Sequence, residues 1–247
     1  LPILQPDWHY SLEVPALSTT TVHIWRASLD QTVEQIHHYA SVLSIDEQKR
    51  AARFRFERDR HRFIVSRGIV RSILGNYLNL PPAQIQFGYG DRGKPFLQVL
   101  EADLSFNLSH SQEWLVCAVA ERCQVGIDVE FSRPLSDLEQ LTRRFFAPQE
   151  HRTIMALPPE EQPTVFLQYW TAKEALLKAI GEGLVDLSSL ELAITDGIPQ
   201  IVRWQGQNRR DWQLQLFQVA PEGVGAIACD GLSQSNPYGL EFWQWQG

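Results

Sequence analysis

Asp128 and Glu130 stand two residues apart in the run Val125-Gly126-Ile127-Asp128-Val129-Glu130-Phe131. A strand period of two sends both acids and Gly126 to one face, and Val125, Ile127, Val129 and Phe131 to the other. Two carboxylates so placed lie about 6–7 Å apart at the backbone. They repel one another unless a hard, oxygen-seeking cation draws them together. Gly126, lacking a side chain, would leave room for a ligand. An acidic, solvated strand face carries the same letters, so the pair needs context.

That context comes from Trp170-Thr171-Ala172-Lys173-Glu174-Ala175-Leu176-Leu177-Lys178, where Glu174 and Lys178 at i and i+4 share a helix face and Lys173 flanks them. As a plain surface pair they would add only about 0.2–0.5 kcal/mol to the helix. With Glu174 turned toward Asp128 and Glu130, three carboxylates would form a magnesium site that also takes substrate phosphates. Lys178, one turn on, could then neutralise phosphate charge or protonate a leaving group.

Phosphate-facing candidates precede these acids. Phe106-Asn107-Leu108-Ser109-His110-Ser111 ends a strand-like piece with small hydrogen-bonding residues and a histidine, a cradle for phosphate oxygens or simply a capped turn. Tyr89-Gly90-Asp91-Arg92-Gly93-Lys94-Pro95 is a turn with two cations whose glycines allow close backbone approach to a ligand. Lys49, Arg50, Arg53, Arg55, Arg58, Arg60, Arg62, Arg67 and Arg71 concentrate positive charge in one segment, where an anion would dock beside other arginines that are only solvated helix residues.

The elements that must position these groups are legible in part. Ser44 with Glu47 three residues later is a capping-box pattern, and Phe63, Val70, Ile73, Leu74 and Tyr77 recur at helical spacing before Pro81. Trp114 to Ala120 is an apolar run, Glu121-Arg122 a polar turn and Gln124 to Phe131 an alternating run, together predicting an antiparallel hairpin. Val165 to Ile180 predicts a helix stopped by Gly181 and Gly183. Leu190 to Thr195, Trp212 to Ala220 and Val224 to Cys229 predict strands, and Pro81-Pro82, Pro134 and Pro158-Pro159 predict turns. This order is that of an α+β protein.

Composition narrows the classes. Of 247 residues 44% are apolar, enough for a real core in one or two domains. With 22 basic against 29 acidic residues the net charge is −7, which argues against general affinity for nucleic acid or anionic membrane and makes any anion site local. Cys117, Cys123 and Cys229 make an odd count without metal-ligand spacing, the usage of a reducing, cytoplasmic compartment. No apolar stretch is long enough to span a bilayer, and Leu1 to Tyr10 lacks a signal-peptide pattern.

Taken together, F-N-L-S-H-S, then G-I-D-V-E, then W-T-A-K-E-A-L-L-K-A-I-G-E-G-L resembles the phosphopantetheinyl transferase superfamily. The G-K-P turn at Gly93, Lys94 and Pro95 and the length fit its larger, surfactin-synthetase-activating (Sfp-like) type. The resemblance is dense from Arg50 to Leu184. It implies a pseudo-dimer of two similar α+β halves with antiparallel sheets, residues 1–122 on the nucleotide side and 123–247 carrying the acids, which meet near Glu121 to Gln124 with the active site in the cleft. It implies magnesium on Asp128, Glu130 and Glu174, and coenzyme A phosphates at Arg50, Lys94, Ser109, His110 and Lys173. Arg62 is a rival to Arg50 for the 3′-phosphate, and Arg92, Gly93, Asn107 and Lys178, with Asp128 and Glu174 themselves, complete the coenzyme A candidates.

The reaction this implies transfers the phosphopantetheine of coenzyme A to a carrier-protein serine and releases adenosine 3′,5′-bisphosphate. Such phosphoryl transfer relies on alignment and charge neutralisation. Glu174 is the candidate base, Lys178 the phosphate stabiliser, and His110 a third catalytic candidate. Acidic helical carriers of fatty acid, polyketide or peptide synthesis would dock on Arg143, Arg144, Phe145 and Phe146, although either phenylalanine could be core. A non-catalytic coenzyme A or carrier-binding protein of the same fold, and an unrelated metal-dependent phosphoesterase, are the competing readings. Internal duplication suggests a monomer, while the tail Phe242-Trp243-Gln244-Trp245 leaves core and interface both open.

Overall fold

In chain order the strands are β1 (His9–Tyr10), β2 (Thr21–Ser28), β3 (Phe87–Tyr89), β4 (Pro95–Leu97), β5 (Leu104–Ser111), β6 (Trp114–Glu121), β7 (Val125–Phe131), β8 (Leu190–Thr195), β9 (Ile198–Trp204), β10 (Trp212–Ala220), β11 (Gly223–Asp230) and β12 (Gly239–Gln244). The helices are α1 (Val33–Ser41), α2 (Ile45–Ala51), α3 (Glu57–Leu78), α4 (Leu138–Phe145), α5 (Pro148–Met155) and α6 (Gln162–Ile180). This computed structural model describes residues 2–10, 14–98, 103–133, 137–181, 187–204, 211–230 and 237–246. Gly183 and Pro134, predicted to stop a helix and to make a turn, lie outside them.

Two sheets dominate. The first has the order β1-β12-β2-β6-β5, and the second β10-β11-β7. Pairing is antiparallel except along β1-β12-β2. Val22, Ile24, Val116 and Ala118 of the first sheet meet Val125, Ile127, Val129, Phe217 and Ile227 of the second in one apolar cluster, so the sheets pack face to face. The far side of the first sheet, with Trp25, Cys117 and Val119, packs on Ile69, Val70 and Ile73 of α3. On the far side of the second, Leu214, Leu216, Ala226 and Ala228 meet Phe166, Ala172, Ala175 and Leu176 of α6. The layers therefore run helix, sheet, sheet, helix, an α+β arrangement in which each apolar face is covered.

The predicted helices form. Ser44 caps α2, its Oγ accepting from Glu47 N at 3.3 Å while Glu47 Oε2 accepts from Ser44 N at 3.0 Å. The helix carrying Phe63 to Tyr77 ends at Leu78, with Asn79 in the left-handed region before Pro81. The three predicted late strands appear as β8, β10 and β11.

The predicted hairpin of 114–120 with 124–131 does not form. Strand β6 already has β2 on one side and β5 on the other, which leaves it no free edge for β7. Its hairpin partner is β5. The segment Glu121 to Gln124 instead carries the chain from the first sheet to the second, where β7 pairs with β11. Two contacts steer this crossover: Arg122 N donates to Asp103 O at 2.8 Å, and Gln124 N donates to Asp230 Oδ1 at 2.6 Å.

The aromatic tail belongs to the molecule's own core. Strand β12 returns to the first sheet beside β2, across the expected division at 122/123. Phe242 is buried between the sheets, and Trp243 and Trp245 pack on Trp25 with ring centroids 5.9 Å away in each case.

Candidate active site

Strands β5 and β7 are the terminal strands of their respective sheets, and polar side chains knit them together. Asn107 Oδ1 accepts from Ile127 N at 3.0 Å, Ser109 Oγ donates to Asp128 Oδ1 at 2.8 Å, and Ser111 Oγ donates to Glu130 Oε2 at 3.2 Å. The period of two that aligns Asn107, Ser109 and Ser111 on β5 thus matches the one that aligns Asp128 and Glu130 on β7. The opposite face of β7 supplies Val125, Ile127, Val129 and Phe131 to the core between the sheets.

Helix α6 closes the site from above. Gly126 lets it approach: a Cβ there would strike Ala175 O and the Ala179 backbone. The expectation that Gly126 leaves room for a ligand is therefore corrected, because helix backbone fills that room. The close approach brings Lys178 Nζ to 2.5 Å from Asp128 Oδ1 and 2.9 Å from Ser109 Oγ. Gly181 ends the helix in the left-handed conformation, φ 78°, where glycine carries no Cβ penalty.

The electrostatics reflect crowded negative charge. Desolvation, then Asp128, and to a smaller extent Glu130, push the Glu174 carboxyl up to about 7 despite the opposing pull of Lys178. Glu130 is raised by desolvation and by Asp128, with Ser111, Arg133 and Lys178 opposing. Asp128 is 3% exposed, and its Oδ2, like Glu174 Oε1, is buried with no hydrogen-bond partner. Among the described residues no three His, Cys, Asp or Glu side chains are already gathered around a metal position. The donor set nonetheless fits a hard cation, since it offers carboxylate oxygens, two of them buried and unpartnered, and carries mutual repulsion that a divalent ion would relieve.

The remaining predicted residues divide. His110 is exposed at the end of β5; desolvation lowers its pKa first, then the charges of Lys178, Arg62 and Arg67, marking a cationic corner. Arg62 is half-buried and pairs with Asp30 at 3.2 Å, while its buried Nε lacks a partner. Arg50 is exposed on α2, its guanidinium 5.4 Å from the Phe63 ring centre, in an open pocket with Lys49 and Arg53. Arg92 and Gly93 are exposed in the β3–β4 turn. Asn107 is spent on the β7 backbone.

Three expectations are corrected. Lys173 points away from the acids: it is 0% exposed, 2.5 Å from Glu150 Oε2, and donates to Leu187 O at 2.9 Å, so it cannot meet a phosphate there. The two neighbours on α6 separate because i and i+1 never share a helix face. The Lys94 side chain also turns inward, donating to Ala179 O at 2.7 Å and Val125 O at 3.3 Å. Phe146 is core, stacked on Phe166 at 5.1 Å, which reduces the exposed patch to Arg143, Arg144 and the half-buried Phe145.

Nothing in the basic run of the sequence singles out Arg67. It is 8% exposed, donates to the Tyr89 hydroxyl at 3.2 Å, lies among Phe63, Phe87 and Tyr89, and keeps one buried nitrogen, Nη1, unpartnered. Only its position on the inner face of α3 distinguishes it from its solvated neighbours, and that face becomes legible only once the helix is docked.

Two family models match the chain: 4′-phosphopantetheinyl transferase, N-terminal, over residues 25–122, and the 4′-phosphopantetheinyl transferase superfamily over residues 124–229. The chain is 43% identical over 233 residues to 4′-phosphopantetheinyl transferase HetI of Nostoc sp., an alignment covering 93% of this chain and 96% of that protein. It is 32% identical over 151 residues to 4′-phosphopantetheinyl transferase Sfp of Bacillus subtilis, covering 61% of this chain and 66% of that one. Similarity of this extent, running through the strands and the helix that carry the acids, establishes that the chain belongs to the 4′-phosphopantetheinyl transferase superfamily.

Proposed function

We propose that this enzyme transfers the 4′-phosphopantetheine group of coenzyme A to a serine hydroxyl of an apo acyl or peptidyl carrier protein, releasing adenosine 3′,5′-bisphosphate. The observation that carries the reading is the meeting of Asp128, Ser109 and Lys178 at the edges of two sheets, beneath a helix that also brings Glu174. Asp128, Glu130 and Glu174 would hold magnesium, which supplies Lewis-acid polarisation of phosphate oxygens when bound.

The chain's own groups divide the remaining work. Glu174 is the carboxylate placed to accept the serine proton; its carboxyl is held up to about 7 only while no cation relieves its burial beside Asp128, and a bound divalent ion would favour the ionised form that a base requires. Lys178 offers its ammonium to charge that develops on phosphate or leaving oxygen. Ser109 positions Asp128 and the Lys178 ammonium together. His110, beside Lys178, Arg62 and Arg67, faces the phosphates, and Arg50 or Arg62 takes the 3′-phosphate. Arg143 and Arg144, both exposed on α4, dock the acidic carrier beside Phe145.

Among the described residues no helix is long and apolar enough to cross a membrane. The three cysteines are free and buried, as suits a cytoplasmic enzyme, and a tail packed into its own sheet suits a monomer. The test is the mass of an apo carrier after incubation with the chain, coenzyme A and magnesium. A gain of about 340 Da, the modification's formula mass, is expected. An unmodified carrier, with coenzyme A either intact or merely hydrolysed, would overturn the proposal.

A further inference from the structure

Lys94 lies at a junction of three elements. Its Nζ donates to Ala179 O in the last turn of α6 and to Val125 O at the start of β7. Carbonyls in a helix's last turn have no acceptor role inside the helix and carry partial negative charge, so an N–H donor there satisfies a group otherwise left bare. The stem passes over the helix terminus: a Cβ on Gly181 would sit 3.5 Å from Lys94 Cδ. From the strand side, Gly126 admits the same stretch of α6 against β7. Ala179 is thus gripped between the β3–β4 turn and β7.

The turn is built to aim this side chain. Gly93 N donates to Gly90 O at 2.8 Å and Gly90 N to Lys94 O at 2.9 Å, and Gly93 adopts φ 81°, which favours glycine. Arg92 and Gly93 face solvent while Lys94 turns in. Burial lowers the Lys94 pKa to about 8, against the pull of Asp230. Even the neutral amine keeps two N–H groups, one for each carbonyl.

We propose that Lys94 is a positioning residue for phosphopantetheine transfer, clasping the β3–β4 turn to the end of α6 and fixing Lys178, which lies in that same last turn, and Glu174, one turn earlier. This inference rests on the transfer reaction proposed above and departs from a direct phosphate contact. Such a contact would require Nζ to abandon both carbonyls.

Steady-state kinetics of Lys94→Met, which keeps an apolar stem without N–H groups, test the clasp. Misplacement of the helix should lower kcat by about tenfold or more, with the KM for coenzyme A and the Kd for adenosine 3′,5′-bisphosphate within about twofold of wild type. A tenfold rise in that KM with kcat unchanged would make the ammonium a nucleotide ligand and overturn the inference. Should the variant fail to fold, amine acetylation of the wild-type chain decides. Lys94 should label far more slowly than exposed Lys49, equally with and without coenzyme A, whereas rapid labelling suppressed by coenzyme A would sink the clasp. If wild type makes no holo-carrier, the transfer reading fails on its own, and the labelling experiment still tests the Lys94 contacts.

Discussion

The Lys178 ammonium lies 2.5 Å from Asp128 Oδ1, so without a bound divalent ion a lysine serves as the counter-ion of the buried carboxylate. Asp128 is 3% exposed, and removing one partner of such a pair leaves an uncompensated charge at a cost of about 3–5 kcal/mol when fully buried, less here because Lys178 is part-exposed. Lys178→Met should therefore lower Tm in chelator, and magnesium should restore most of the loss by binding the folded state alone. Equal destabilisation with and without magnesium would show that the ion does not meet Asp128.

Glu174 gives the metal-free protein a pH signature. Its carboxyl is raised from the ordinary 4.5 to about 7, by desolvation first and Asp128 second. The folded state therefore holds a proton that the unfolded state has released, and the associated stability is present below 4.5 and lost as pH rises through about 7. Glu130 shifts in the same direction. Melting in chelator should show Tm falling between about pH 5 and about pH 7.5, with a shallower fall in Glu174→Gln or with magnesium present. Identical slopes in wild type and variant would remove Glu174 as the source. The same variant should transfer phosphopantetheine at least about a hundredfold more slowly while remaining folded.

Lys173 and Glu150 are a structural pair. Both side chains are 0% exposed, and Glu150 also accepts from Ala147 N at 2.7 Å and Leu192 N at 2.8 Å, joining α5, α6 and β8. Urea unfolding of Lys173→Met should show a loss of about 3–5 kcal/mol, part of it recovered when Glu150→Gln is added. The KM for coenzyme A of the folded fraction should not move. A tenfold rise in KM with unchanged stability would return Lys173 to the phosphate.

Arg143 and Arg144 are exposed on α4, with Arg143 paired to Glu139 at 2.6 Å and Arg144 4.9 Å from the Phe145 ring centre. The double variant Arg143→Ala, Arg144→Ala should raise the KM for an acidic carrier severalfold, the more so at low salt, and leave the KM for coenzyme A unchanged. A carrier KM insensitive to both substitutions would place the docking face elsewhere.

What the sequence made legible follows from the reach of local periodicity. The alternation from Val125 to Phe131 put Asp128 and Glu130 on one side of β7, facing Ser109 and Ser111, and the i, i+4 spacing put Glu174 and Lys178 near enough on α6 for the lysine charge to act on the carboxyl. The errors arose where a residue's fate depends on a distant partner. The hairpin of 114–120 with 124–131 failed because β2, far earlier in the chain, and β5 had claimed both edges of β6. Lys173 and Phe146 carry letters that suit a surface, but Glu150 of α5 and Leu187 O enclose the lysine and Phe166 of α6 stacks on the phenylalanine. Gly126 looks like ligand space in the sequence because nothing local announces that α6 will lie against it. Local pattern fixes which face a side chain takes, whereas only tertiary packing decides what covers that face.

In the proposed reaction, strand β7 and helix α6 would bring Asp128, Glu130 and Glu174 around one divalent ion at the phosphates of coenzyme A. Anomalous diffraction from crystals grown with manganese and coenzyme A tests it most directly. A peak is expected about 2.0–2.3 Å from oxygens of these three side chains, with oxygens of the pyrophosphate beside it and Lys178 turned from Asp128 toward phosphate. A well-ordered coenzyme A with no peak there, or a peak held by other residues, would contradict it.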